Sequence, residues 1–169
     1  MSTSPRIKTR QIETRLARSR RHTSSRAALD RLYARAAPVS YALLRVVFGV
    51  VLFTHGLPKL LRTSHGSMAD PMAGSINLIE NVMHLPAAPV LAMLVTLLEA
   101  IGGVLLAAGL GTRLIAIAVA VEMIGISYAL GPTWPWIDRG IEYPVMMLFL
   151  AAYMAVHGGG RCSLDRLIG

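Results

Sequence analysis

Acidic residues and charge in general are scarce in this chain. Of 169 residues only nine are Asp or Glu, and all charged residues together make up 15%. A soluble domain carries about 25%, so a fully water-facing surface is excluded as the default. There is one cysteine, Cys162. A single thiol closes no intramolecular disulfide, which excludes a disulfide scaffold and the paired cysteines of a thiol-oxidising membrane enzyme. No P-loop, dinucleotide fingerprint or nucleophile motif with partners occurs. His55, His84 and His157 fall on different segments, so no histidine pair has metal or bis-haem spacing, and no metal site is expected. The first apolar run follows some 40 residues of basic chain and is too long for the h-region of a cleaved signal peptide.

What is abundant is apolar. Hydrophobic residues make up 54% and the mean hydropathy is +0.53. One domain is the default at this length. The net charge of +8 suggests nucleic acid until it is located. Residues 1–40 hold ten Arg or Lys against Glu13 and Asp30, while the remaining seven basic and seven acidic groups cancel. A polybasic segment beside a membrane helix is an orientation signal and attracts anionic lipid at about 1 kcal/mol per basic residue. Nucleic acid is accordingly disfavoured as a partner.

The pattern predicts an all-α integral membrane four-helix bundle with an interfacial outer helix and a disordered basic N-terminal tail. Residues 1–37 form the tail. Its first 23 positions are almost free of apolar residues and read as disordered. Ser24 and Ser25 could cap an amphipathic helix over 26–36 that lies on the inner leaflet. Residues 38–169 form the transmembrane domain. About 20 apolar residues cross a bilayer, and the spans fall at about 39–61, 89–110, 113–130 and 141–157. Pro58 is expected to kink or loosen the end of the first. Between the first two, Asp70-Pro71 is a helix start signal. Met72, Ile76, Ile79 and Met83 then mark one face of a short outer helix, on the surface or folded over the bundle. Ser163 could cap a last turn over 164–167. With the N-terminus inside, thirteen basic residues are cytoplasmic and two, Arg62 and Arg139, are outside. This gives a multi-pass protein with both termini cytoplasmic.

The ionisable residues within the spans are the candidates for function, since charge at membrane depth is costly and turns inward to partners. His55 and Lys59 share a helix face at i, i+4. Glu99 lies at mid-depth in the second span, and Glu142 opens the fourth. His55, Lys59, Glu99 and Glu142 can meet as a buried polar cluster. Glu99 could accept from His55 or pair with Lys59. The cluster reads either as a ligand pocket or as a satisfied network that fixes helix register. Gly102 and Gly103 permit close backbone approach beside it. At the inner side Arg45, Arg113, Arg161 and Asp165 form a second, structural cluster, where an Arg–Asp pair could tie down the C-terminal turn. Glu122, at mid-depth in the third span, could carry a proton because burial disfavours its charge, pair with Arg45, or line a helix contact.

The ordered set Arg45…Gly49…His55-Gly56…Lys59, Glu99…Gly102-Gly103…Gly109…Thr112-Arg113, Glu142-Tyr143-Pro144 and Gly158-Gly159-Gly160-Arg161-Cys162-Ser163-Leu164-Asp165 resembles the DoxX family of small bacterial membrane proteins. The resemblance covers residues 40–166. It implies a four-helix bundle in a bacterial plasma (inner) membrane and a link to redox complexes, because relatives include a subunit of an archaeal thiosulfate:quinone oxidoreductase. Gly159 stands where the family pattern has Pro. Glu122 and the basic tail also lie outside that pattern. The expectation is an accessory or quinone-linked subunit of a membrane redox system. A non-catalytic scaffold or assembly factor and a small oligomeric transporter are the alternatives. No cofactor is evident beyond a quinone, no reaction is singled out, and a membrane-protein partner or homo-oligomer is expected.

Overall fold

The structure is a computed structural model that describes residues 5–168, with side chains described from residue 29 onward and at Arg26. It is all-α, and no strand occurs among the described residues. Helix α1 runs Pro5–Leu61. Where the sequence predicts a disordered tail and a separate helix at 26–36, the helix is continuous from Pro5. Neither Gly nor Pro occurs from Arg6 to Ala37, so nothing there stops a helix once it has started. Residues 1–4 of the expected tail lie outside the described residues. Met1–Ser40 and Tyr41–Gly169 are two compact units. The packing and the site described below lie in the second unit.

The remaining helices are α2 (Pro71–Asn77), α3 (Ala88–Leu97), α4 (Gly103–Ala108), α5 (Thr112–Leu130), α6 (Glu142–His157) and α7 (Asp165–Ile168). A π turn over Leu78–Val82 continues α2, and a second over Leu98–Gly102 joins α3 to α4. Among the described residues, three helical segments are long and apolar enough to cross a membrane: Leu29–Leu61, Ala88–Ala108 and Thr112–Leu130. The chain is an all-α membrane protein. The expected fourth span is α6, which has 16 residues. At about 1.5 Å per residue it rises about 24 Å, less than the roughly 30 Å of bilayer hydrocarbon.

Each main helix buries one stripe. On α1 it is Arg45, Phe48, Gly49, Leu52 and Gly56. On α5 it is Thr112, Ala116, Val119, Glu122 and Met123, and on α6 Pro144, Met147, Ala151 and Met154. Phe48, Leu52, Leu106, Ala116, Val119, Met123, Met147, Ala151 and Met154 form the main core. The opposite faces keep Leu114, Ile117, Val121, Ile124, Phe149 and Val156 exposed. Large apolar side chains turned outward around a helix suit lipid, not water.

Two backbones cross almost in contact. A Cβ placed on Gly49 would lie 2.3 Å from the Gly103 carbonyl oxygen, and one on Gly56 2.4 Å from the Ala100 nitrogen. Small residues at such a crossing bring α1 against the α3–α4 segment. Of the two glycines expected to allow this, Gly103 serves it, while Gly102 faces Leu98 and Ile115.

The outer helix starts where the sequence predicts. Asp70 accepts from the Ala73 N–H at 2.9 Å, and Pro71 occupies the first turn. Its face of Met72, Ile76, Ile79 and Met83 packs on Ala88, Leu91 and Ala92 of α3. It folds over the start of the second span.

Candidate functional site

Lys59 and Glu99 make a buried ion pair. Lys59 Nζ donates to Glu99 Oε1 at 2.8 Å and Oε2 at 2.6 Å. Their side chains are only 12% and 5% exposed. Lys59 continues the buried stripe of α1, one turn beyond Gly56. Glu99 sits in the π turn. One extra residue in that turn re-aims the side chains around it, and π turns are frequent at functional positions. Gly56 leaves room for the Glu99 Cβ, 2.8 Å from where its own Cβ would be.

Glu122 completes the group. It is only 9% exposed. No N–H or O–H donor reaches either carboxyl oxygen, and the charged groups that interact with it are the Glu99 carboxyl and Lys59. The site is therefore one ammonium and two carboxyls drawn from α1, the π turn and α5. Of the alternatives open for Glu122, pairing with Arg45 is not what the structure shows, because Arg45 is engaged elsewhere. The sequence did carry a signal: Glu99 and Glu122 fall at the same depth. Depth alone does not give the rotation that turns the two carboxyls toward each other.

His55 stands beside this group without bonding to Glu99. Its Nδ1 lies 2.9 Å from the Val51 carbonyl oxygen. A carbonyl only accepts, so Nδ1 carries the hydrogen and Nε2 is left for another partner. The ring is stacked near Tyr143 (centroids 6.4 Å apart, planes at 22°) and lies 5.2 Å from His65. Glu142 departs from the expected cluster. It is exposed and accepts from the Trp136 N–H at 3.1 Å. A carboxylate at the first turn of α6 finds loop N–H groups close by, and that satisfies it outside the bundle. Of the four expected residues, Lys59 and Glu99 pair, His55 is adjacent, and Glu142 belongs to the loop.

The other end of the bundle is a tie between chain segments. Arg45 is 2% exposed. It donates to the Gly159 carbonyl, to the Cys162 carbonyl at 2.7 Å and, at 3.5 Å, toward that of Ala107. Tyr41 donates to the Gly158 carbonyl at 2.5 Å. Gly109 has φ 76° and lies flat on the guanidinium, where a Cβ would come 2.6 Å from Cζ. Only glycine takes that conformation in that space. Asp165 does not bond to Arg45. It accepts from the N–H groups of Gly111 at 2.6 Å and Thr112 at 3.1 Å, capping α5. Its partial burial pushes its pKa up. The Thr112 and Gly111 N–H bonds and the Arg45 charge outweigh that and hold it below the usual value. Arg113 is exposed and lies over Gly158, and Arg161 is exposed. Ser163 does not cap the last turn. Its hydroxyl donates to the Gly160 carbonyl at 2.8 Å.

Among the described residues, no three His, Cys, Asp or Glu side chains converge as metal ligands do. No solved structure matches the chain. A Bacillus subtilis (strain 168) protein named "Putative oxidoreductase CatD" is 29% identical over 126 residues, covering 75% of this chain and 84% of the relative. The DoxX family model matches residues 40–131. That stretch holds Arg45, Lys59, Glu99 and Glu122 and is more than half of the chain, which belongs to the DoxX family.

Proposed function

We propose that this protein is a membrane subunit of a redox system that works with a quinone, bound at the Lys59–Glu99–Glu122 site. The observation that carries the reading is the buried ion pair at 2.6 Å, with the buried Glu122 carboxyl left without a hydrogen-bond donor. Ionisable groups at membrane depth are expensive, and they mark ligand or proton pathways. The name of the Bacillus relative points in the same direction.

The residues suit a quinone headgroup. Its carbonyl oxygens need donors, and Lys59 has a third N–H beyond the two given to Glu99. The reduced headgroup needs acceptors, and His55 Nε2 is one. A quinone takes up two electrons and two protons. The electrons come from a partner subunit, and this chain holds the headgroup and manages protons. The basic residues of the N-terminal segment set the orientation, with both termini in the cytoplasm of a bacterium and the protein in its inner membrane. Anionic lipid headgroups gather around that segment.

The test is purification of the native complex in mild detergent, with its quinone content measured and its partners identified. The wild type carries quinone. Glu99→Gln removes a charged hydrogen-bond partner, an effect of about 1.5–3 kcal/mol, so quinone affinity falls about tenfold or more. A native complex without quinone overturns the proposal. A partner protein brought down without quinone then makes the chain a scaffold.

A further inference from the structure

We infer that Glu99 and Glu122 together hold one exchangeable proton inside the bundle, making the carboxyl pair a proton-binding site. Both Glu122 oxygens lack a donor although the side chain is nine-tenths buried. The group in front of them is another carboxyl, which has nothing to donate while ionised. Lys59 supplies a single positive charge and spends two of its hydrogens on Glu99. Two anions facing each other beside one cation leave an uncompensated buried charge. A proton between them removes that charge and supplies the missing hydrogen bond at once. The ligand is a proton. Its exchange partner is water or the hydroxyl of a polar molecule that reaches the pair.

Among the described residues, the charged groups interacting with Glu122 are Glu99 and Lys59, and His55, one turn from Lys59, gives its Nδ1 hydrogen to the Val51 carbonyl. Arg113, on α5 itself, is exposed at its first turn. On α6, Glu142 is exposed and bonded to the Trp136 N–H, and Tyr143 stacks with His55. The π turn that follows α2 carries Glu80, which is exposed. Arg45 on α1 is engaged with carbonyls at the other end of the bundle. The proton count of the site is therefore its number of carboxyls minus its number of ammonium groups. This inference stands on the geometry and does not need the quinone reading.

Infrared spectroscopy of the whole protein in lipid at neutral pH reads the count directly, through the carbonyl stretch of a protonated carboxylic acid. The wild type shows one such group, and its band shifts on transfer to deuterated water. Glu122→Gln loses the band, because one carboxylate remains beside one ammonium. Lys59→Met doubles it, because two carboxyls remain with no cation. The wild-type and Glu122→Gln spectra decide the matter even if the lysine variant does not fold. A wild type with no carboxylic acid band, or a band that Glu122→Gln leaves unchanged, overturns the inference. Quinone content does not enter this readout, so the two proposals fail independently.

Discussion

Arg45 places a permanent charge in a bundle where it meets no carboxylate bond. Its neutralisation is spread over carbonyl dipoles at the C-terminal Gly158-Gly159-Gly160-Arg161-Cys162 turn. Removing it leaves the buried Gly159 carbonyl unpaired at about 1–3 kcal/mol, and the part-buried Cys162 carbonyl at up to as much again. Arg45→Met is therefore expected to cost about 1–6 kcal/mol in denaturant unfolding from detergent micelles. Arg45→Lys recovers only part of that, since a single ammonium does not span the carbonyls that the planar guanidinium reaches. Asp165 acts nearby as the cap of α5, and Asp165→Ala should cost about 1 kcal/mol. Its folded pKa is lowered, so its contribution is complete above the unfolded value of about 3.9. It disappears as pH falls through the lower folded pKa. Stability measured from neutral pH downward should thus fall in that acidic window for the wild type, and Asp165→Asn should lack that component.

At the scale of elements, the crossing of α1 with the α3–α4 segment sets the geometry of the site, because it brings Lys59 level with Glu99. Gly49→Ala puts a methyl 2.3 Å from a backbone oxygen, and backbone cannot yield as a side chain tip can. Gly74→Ala is the control: it is helical, and nothing lies within 4 Å of its Cβ position. The first substitution should lower thermal stability in detergent. The second should raise it by about 0.5–1 kcal/mol, the ordinary gain of Ala over Gly in a helix. Much of this layer was legible in the sequence. Hydropathy placed the second and third spans within two residues of Ala88–Ala108 and Thr112–Leu130, and Asp70-Pro71 marked the start of α2. The π turn at Glu99 was not legible, because one extra residue leaves an apolar run equally apolar. The shortness of α6 was legible too: Glu142-Tyr143-Pro144 and Gly158 bound it, and the expected span 141–157 starts one residue before Glu142–His157. The pairing of Lys59 with Glu99 was one of two readings open to the sequence. The place of Glu122 required knowing which face of α5 turns toward the π turn. Glu142 was misplaced because a charge at a helix start serves a loop as readily as a bundle.

The molecule as a whole is a membrane protein of the DoxX family whose two ends do different things. One end knots the chain through Arg45 and Asp165, and the other holds buried ionisable groups. Topology can be read through Cys162, the one cysteine, which is exposed. A membrane-impermeant maleimide should leave it unlabelled in intact spheroplasts and label it in inverted vesicles. The reverse pattern places the C-terminus outside. The central claim is that the buried ion pair serves a ligand and does more than fix helix register. Replacing both members of a buried pair with neutral groups of similar volume is often neutral or stabilising, whereas removing one member is costly. The double variant Lys59→Met/Glu99→Gln therefore separates structure from function. The most direct measurement is quinone binding by the native complex carrying that double variant, with unfolding followed in parallel. The account predicts a protein as stable as the wild type that has lost its quinone. A double variant that keeps both its stability and its quinone contradicts it.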